Sequence, residues 1–206
     1  KTLTVGTADS PISGHAFNMD CSLSFYGLAN ATGKLNINAE EYGVTLGGSI
    51  KMAYVDVDVV SEKGGLSAAN GCIYAGHQTK GNTLTVRCSS NGINGGSSSA
   101  TIKNYDVDIV NGNEYGIIAT GGVTIEGLAT GEKVNSVIVR SNKGGIVSGS
   151  NLITIRNCNV EITGTTKTNN VYDACSLSGI DACGSVTITG RADGSNTGCY
   201  QPRRYA

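Results

Sequence analysis

Aromatic and charged residues are scarce in this chain. Its 206 residues include no tryptophan, two prolines and two histidines, and the aromatic share is 5%. Charged residues make up 15% and the net charge is -1, so the sequence offers no basic surface for nucleic acid and no acidic tail. No apolar run approaches the roughly 20 residues of a membrane-spanning helix. We therefore expect no nucleic-acid partner and no membrane insertion.

Short segments in which aliphatic and polar residues alternate make up most of the chain. Leu84-Thr85-Val86 is typical. Such alternation indicates a strand with one buried face, and strands this short must stack on copies of themselves. The same strand type recurs at residues 35–37, 57–59, 84–86, 107–109, 137–139 and 160–162, with copies starting 22 to 30 residues apart. A repeat of this length predicts a solenoid.

Two further pieces follow each copy. The first is a glycine corner with one aliphatic residue, placed at Val44, Ile73, Ile93, Ile117, Ile146 and Ile180. The second is another strand type, at residues 50–52, 100–102, 123–125, 153–155 and 186–188, and the coil that includes Ile73 lacks it. Three short strands per coil predict an all-β fold, a single-stranded parallel β-helix. A β-sandwich or a propeller is disfavoured, because hairpin turns and blade motifs are missing.

The repeat divides the chain into three parts of one structural domain. Residues 1–34 are expected to form an N-terminal cap or an irregular first coil, with candidate strands at residues 3–5 and 23–25. Residues 35–190 are the β-helix coils, and residues 191–206 are a C-terminal tail or cap. Longer loops are predicted at residues 126–136 and after Val59 and Ile162, and function tends to collect on such loops.

Stacking turns matching strand positions into columns of side chains. One outward column holds Asn36, Asp58, Thr85, Asp108, Ile138 and Glu161. The outward column two residues further on contains Arg87 and Arg140, so acids and arginines alternate along the rod. This pattern predicts a ladder of exposed ion pairs. A calcium site or a lyase-type acid cluster would need several carboxylates converging on one point, and the interposed arginines work against it.

A second column lies just before the glycine corner. Its members are Tyr42, Gly71, Asn91, Tyr115, Gly144 and Ser178. Tyr42 and Tyr115 are three coils apart, about 14 Å at the usual strand spacing. Exposed tyrosines along a flat face suit sugar binding, because the apolar face of a pyranose stacks on the ring while the hydroxyl forms hydrogen bonds. The alternative is that each tyrosine packs over its own glycine and shields the corner.

The sequence gives little support for catalysis or metal binding. His15 and His77 are isolated on irregular segments, and no G-x-S-x-G or phosphate-binding glycine loop is present. The seven cysteines contain no C-x-x-C, which disfavours a metal site. Their number is odd, so at least one is unpaired if the others form disulfides. One or two bridges near the C-terminus and a set of small buried thiols both remain open.

Two segments resemble coils of a bacterial family of carbohydrate-binding domains. They are residues 113–126 (NEYGIIATGGVTIE) and 176–189 (SLSGIDACGSVTIT). The resemblance implies a right-handed parallel β-helix, similar in fold to pectate lyases, on a surface or secreted protein that binds plant cell-wall polysaccharide. Members of that family carry calcium-binding acids in a corner of the form Asp-Gly-Ile-x-Ala-Asp. Here only Asp181 is acidic, at a different place in the motif, so no calcium ligand and no cofactor carries over.

The leading hypothesis is a non-catalytic, monomeric, polysaccharide-binding β-helix, extracellular or on the cell surface. The expected glycan contacts are Tyr42, Tyr115, Asn91, Arg87 and Asp108. One alternative is a polysaccharide lyase or hydrolase on the same fold, in which an arginine such as Arg87 or Arg140 faces a substrate uronate. A third reading is a structural or adhesive stalk, since one architecture hosts many functions.

Overall fold

The computed structural model describes residues 1–29, 31, 33–131, 133–149, 152–164, 179–190 and 200–202. For residues 200–202 it describes the backbone alone. The described residues form strands and connections without helices. In chain order the strands are β1 (Thr2–Val5), β2 (Phe17–Met19), β3 (Leu23–Tyr26), β4 (Gly33–Ala39), β5 (Val44–Leu46), β6 (Ile50–Ala53), β7 (Val55–Ser61), β8 (Leu66–Ala68), β9 (Cys72–Ala75), β10 (Asn82–Cys88), β11 (Ile93–Asn94), β12 (Ala100–Lys103), β13 (Tyr105–Asn111), β14 (Tyr115–Ala119), β15 (Val123–Glu126), β16 (Asn135–Ser141), β17 (Gly144–Ser148), β18 (Ile153–Arg156), β19 (Cys158–Gly164), β20 (Ile180–Ala182), β21 (Val186–Thr189) and β22 (Tyr200–Pro202).

Every third strand belongs to the same sheet. Sheet A contains β1, β4, β7, β10, β13, β16, β19 and β22, sheet B runs from β2 to β20, and sheet C runs from β3 to β21. All neighbours pair in parallel, one coil apart. We number the coils from coil 1 (β1 to β3) to coil 7 (β19 to β21). The architecture is a right-handed parallel β-helix with three strands per coil, as the repeat predicted.

The inward positions of the three sheets form one continuous core. Ile37, Val59 and Val86 are stacked in consecutive strands of sheet A and are fully buried. Full burial of such a side chain contributes about 1.5–3 kcal/mol, so these columns are the main source of stability. Cys72 and Cys158 occupy core positions as free thiols, and burial raises the pKa of Cys72 to about 12. These two cysteines are small buried side chains, as one of the two readings expected. Cys175 and Cys199 lie outside the described side chains.

Coil 3 is complete, which corrects the prediction that it lacks its third strand. Leu66, not Ile73, pairs with Val44 and Ile93 in sheet B. Ile73 lies in β9, the third strand, where it points outward and is 46% exposed. The residue that precedes this corner in the tyrosine column is therefore Gly64, not Gly71. The segment after Val59 that was predicted to be a loop contains β8.

The corners between sheets C and A alternate between short and long. A single residue in the left-handed region, φ 56° or 57°, makes the short corner at Tyr54, Asn104 and Asn157. The long corners alternate with these short corners and connect the strands at residues 27–32, 76–81 and 127–134. The third long corner confirms the insertion predicted at residues 126–136. Asn82 Oδ1 accepts a hydrogen bond from the His77 N–H, closing the second long corner. The structural repeat is thus two coils.

The ends of the rod are built from the same strands. The strands expected at residues 3–5 and 23–25 are present as β1 and β3, and β2 completes coil 1. An apolar cavity of about 500 Å³ opens at this end between Leu3, Phe25, Leu28 and Leu35, because nothing covers the core there within the described residues. β22 lies within the predicted tail and pairs with β19. No helix capable of crossing a membrane occurs among the described residues.

Candidate functional site

The ladder of ion pairs predicted along sheet A is reduced to one cluster around Asp108, and among the described residues Asp58 and Glu161 form no ion pair. Asp108 Oδ1 lies 2.8 Å from Arg140 Nη1, and Asp108 Oδ2 lies 3.4 Å from Arg87 Nη2. All three side chains are between 37% and 50% exposed, so solvent screens the pairs and each contributes little. Arg87 and Asp108 bind each other on sheet A. Tyr42, Tyr115 and Asn91 belong to the sheet B side of the rod, so the structure separates the two groups of predicted contacts.

The tyrosine column on sheet B starts one coil earlier than predicted. Phe17 pairs with Val44, and the residues two positions before them are His15 and Tyr42. The corrected column therefore contains, in order along the rod, His15, Tyr42, Gly64, Asn91, Tyr115 and Gly144. Tyr42 and Tyr115 remain three coils apart. Between them lie a glycine and an asparagine, so the surface drops after Tyr42.

This drop is part of a groove that we name the coil-3 trench. The cavity has a volume of about 410 Å³. Its floor is coil 3, its walls are coils 2 and 4, and two strand spacings put the walls about 10 Å apart between backbones. The residues that line it are His15, Tyr42, Thr45, Gly64, Gly65, Ser67, Ser90, Asn91 and Asn94. Its lining is an aromatic wall, a glycine floor and a set of hydroxyl and amide groups.

Two glycines keep the trench floor low. A Cβ atom on Gly65 would lie 2.4 Å from the carbonyl oxygen of Gly92 and 2.3 Å from Val86 Cγ1. A Cβ on Gly64 would lie 2.6 Å from Cδ1 of Tyr42. The first contact involves backbone of the next coil, which cannot move aside. Side chains are therefore excluded from this part of coil 3, and Tyr42 leans over Gly64, the glycine of the following coil.

His15 holds the aromatic wall in place. Its ring stacks on the ring of Tyr42, with centroids 4.9 Å apart and planes inclined by 19°. His15 Nδ1 lies 3.3 Å from Thr45 Oγ1, and Nε2 lies 3.4 Å from Glu41 Oε2. His15 comes from the preceding coil, so it covers the ring face turned away from coil 3. On its other side the Tyr42 ring lies over Gly64, where it lines the trench.

An ion pair of Glu41 and Lys63 lies at the corner between sheets A and B, beside His15 of the trench lining. Lys63 donates a short hydrogen bond to Glu41. This hydrogen bond and the charge of Lys63 lower the pKa of Glu41, and the same hydrogen bond raises the pKa of Lys63. The carboxylate and the ammonium stay charged at neutral pH and neutralise each other. The trench therefore carries no net charge from this pair.

The same three residue types recur three coils further along the rod. We name Glu41, Tyr42 and Lys63 the first corner and Glu114, Tyr115 and Lys143 the second corner. In the second corner Lys143 Nζ lies 3.0 Å from Glu114 Oε2 and 4.8 Å from the centroid of the Tyr115 ring. The sequence signal is Glu-Tyr-Gly followed one coil later by Lys-Gly-Gly, at residues 41–43 and 63–65 and again at 114–116 and 143–145. Sequence reasoning found the tyrosines and missed their partners.

Two asparagines form the wall opposite Tyr42. Asn91 Oδ1 accepts a hydrogen bond from the backbone N–H of Tyr115 at 3.2 Å. Asn94 Oδ1 accepts one from the backbone N–H of Gly96 at 2.9 Å. Because the backbone N–H groups occupy the oxygens, the Nδ2 groups remain as donors for a ligand. Tyr115 is therefore hydrogen-bonded to a trench residue, Asn91, but is not itself part of the lining.

The structure brings two of the five predicted contacts together. Tyr42 and Asn91 line the trench, Tyr115 lies behind Asn91, and Arg87 and Asp108 are on another sheet. The trench residues that the sequence did not predict as contacts are His15, Thr45, Gly64, Gly65, Ser67, Ser90 and Asn94. Within the described residues, no group of three or more histidine, cysteine, aspartate or glutamate side chains is placed to hold a metal ion.

The fold and the trench define a class: a parallel β-helix whose described residues form a cleft across sheet B, lined by small polar residues, glycines and two aromatic rings. Comparison of the chain with protein-family models, with curated proteins and with solved structures finds no match. The family resemblance drawn from residues 113–126 and 176–189 therefore stays a prediction, and the site has to be interpreted from its own chemistry.

Proposed function

We propose that the protein is a non-catalytic, polysaccharide-binding β-helix and that the glycan occupies the coil-3 trench. The observation that carries the proposal is the lining of this cleft: the ring of Tyr42, which stacks on His15 and lies over Gly64, with hydroxyl and amide groups around it. Sugar rings present an apolar face and a rim of hydroxyl groups, and such a lining complements both. The low charge and the abundance of small polar residues fit a secreted or surface-exposed protein that meets glycans outside the cell.

The charge state of the acids supports binding over cleavage. Glycoside hydrolysis needs a carboxylic acid with a raised pKa beside a second carboxylate. The acid nearest the trench is Glu41, whose pKa is lowered by Lys63. A lyase would need an arginine free to face a uronate, whereas Arg87 and Arg140 both bind Asp108. A stalk would use the same solenoid with no ligand in the trench, so a binding experiment separates it from the proposal.

Loss of the aromatic wall tests the proposal. The wild-type protein would first be screened on a glycan array, with and without calcium, and each hit would be checked for release of reducing ends. Isothermal titration calorimetry with a hit glycan should then give about ten-fold weaker binding for Tyr42→Ala, which corresponds to roughly 1.4 kcal/mol. Stacking of this kind contributes energies of that order.

A matched control is available in the same molecule. Tyr26 is a 70% exposed tyrosine on sheet C, and Tyr26→Ala should bind like the wild type. Wild-type affinity in Tyr42→Ala would contradict the site. An array on which no glycan binds would contradict the function and favour the stalk, and cleavage of a hit would favour the enzyme.

A further inference from the structure

The direction of a bound glycan follows from the walls of the trench. The floor belongs to coil 3, and residues of coil 2 on one side and coil 4 on the other close the groove along the rod. The floor continues in the direction of the strands, from Gly64 to Ser67. A glycan in the trench would therefore run across the rod, parallel to the strands, and not along the column of tyrosines.

The size of the trench limits how much of the glycan is held. From Gly64 to Ser67 the floor spans four residues of coil 3, on the order of 10 to 13 Å. The walls stand two strand spacings apart, which leaves room for one ring edge-on between Tyr42 and the asparagines. A branch at a bound residue would meet one of the walls. The trench thus fits a short, unbranched segment of about two or three sugar residues.

The asparagine wall defines the polarity of the ligand. The backbone N–H groups of Tyr115 and Gly96 occupy the side-chain oxygens of Asn91 and Asn94, so these side chains present donors to the trench. Sugar hydroxyl oxygens accept such hydrogen bonds and donate in turn to Ser67 and other hydroxyls. The one ammonium group beside the trench, on Lys63, is already paired with Glu41. A carboxylate on the ligand would find no unpaired cation among the described residues that line the cleft.

We infer that the coil-3 trench selects a neutral, unbranched glycan segment that lies across the rod, with one ring on Tyr42 and hydroxyl oxygens on the amide donors of Asn91 and Asn94. This inference rests on the proposed function and specifies its ligand. It assigns the selectivity for the glycan to the amide donors of Asn91 and Asn94, whose contribution is independent of that of the Tyr42 ring.

Isosteric replacement of the donors tests it. Asn94→Asp retains an oxygen for the Gly96 N–H and replaces the donor with an acceptor, and Asn91→Asp does the same beside Tyr115. The probes are neutral tetrasaccharides of β-1,4-linked glucose, mannose and xylose, with tetragalacturonate as the acidic counterpart. We expect at least one neutral tetrasaccharide to bind ten-fold or more tightly than tetragalacturonate, and each variant to weaken it about ten-fold. Asn18→Asp, an exposed position of the same outward column two coils from the trench floor, should change binding less than two-fold.

A length series tests the direction. Affinity should rise from the disaccharide to about the trisaccharide and then stay constant, because the rest of the chain leaves the rod. A continued rise up to the octasaccharide would contradict a chain lying across the coils. Tighter binding of tetragalacturonate, or unchanged binding in Asn94→Asp and Asn91→Asp, would contradict the donor wall. If those results occur while Tyr42→Ala still loses binding, only this inference fails; if no glycan binds at all, the proposed function fails with it.

Discussion

The first and second corners have the same three residue types and differ in what surrounds the tyrosine ring. In the first corner His15 stacks on Tyr42 from the preceding coil, and the Tyr42 ring lies over Gly64 of the next coil and lines the trench. In the second corner Lys143 comes from the following coil and lies over Tyr115. The neighbours differ as well: Thr45 and Ser67 flank the first ring, whereas Ile118 and Val147 stand at the same positions beside the second.

The comparison separates a structural motif from a binding site. The ion pair of glutamate and lysine and the glycines behind it occur in both corners, so they serve the turn from sheet A to sheet B. Whether the tyrosine forms the wall of a groove depends on the residues one coil away. A tyrosine at a repeated corner position is therefore weak evidence of a sugar site, and an accessible ring face above a floor of small residues is stronger evidence.

The largest expected effect concerns the glycines that both corners share. A Cβ atom on Gly145 would lie 2.4 Å from the carbonyl oxygen of Gly179 and 2.2 Å from Ile162 Cγ2, much as on Gly65. Gly65→Ala and Gly145→Ala should each lower the free energy of unfolding by about 3 kcal/mol, because the next coil must shift. Urea denaturation measures this. Gly112→Ala, whose Cβ would meet nothing closer than 3.6 Å, should lie within about 0.5 kcal/mol of the wild type. Unequal losses at Gly65 and Gly145 would show that the corners do not share one scaffold.

The next effect concerns binding and should appear in the first corner alone. Ser67 and Val147 are outward, half-buried residues in the same column of sheet B. Ser67→Tyr places a ring in the trench and should weaken glycan binding by more than ten-fold, measured by titration calorimetry. Val147→Tyr adds the same ring to coil 6 and should leave affinity within two-fold of the wild type. Equal losses in the two variants would place the ligand along the rod instead of in the trench.

One register error accounts for most of what the sequence did not predict. The fold followed from aliphatic alternation, because inward positions of most coils hold Val, Leu or Ile. Coil 3 departs from this rule: its third strand buries Cys72 and Tyr74 and exposes Ile73. Assigning Ile73 to sheet B put Gly71 in the tyrosine column and hid the floor of the trench. Without Gly64 beside Tyr42, neither the depth of the groove nor its walls could be predicted.

The remaining misses concern side-chain contacts across coils. His15 lies in coil 1, where β2 has three residues and too short a pattern to fix its register against β5. The pairing of Arg87 and Arg140 with Asp108 was predictable, because these residues occupy adjacent columns of long, regular strands. The orientation of the Asn91 and Asn94 amides was not predictable, because it depends on the backbone N–H groups of Tyr115 in the next coil and of Gly96 in a loop.

The smallest effect concerns the ion pairs, and its pH dependence distinguishes scaffold from site. The pKa of Glu41 is lowered from 4.5, so its pairing with Lys63 stabilises the fold fully above pH 4.5 and is lost as the pH falls through the lowered pKa. The pKa values of Lys63 and Lys143 are raised from 10.5, so both pairs stabilise fully below pH 10.5 and are lost as the pH rises through the raised values. The unfolding free energies of the wild type and of Glu41→Gln should therefore differ by a small amount at neutral pH and converge in acid. The unfolding free energy of Lys143→Gln should converge with that of the wild type in alkali. If the unfolding free energies of Glu41→Gln and the wild type still differ at pH 3, the Glu41 side chain stabilises the corner by packing and not by charge. Glycan binding should follow neither curve, because none of the four residues of the two ion pairs belongs to the lining of the trench.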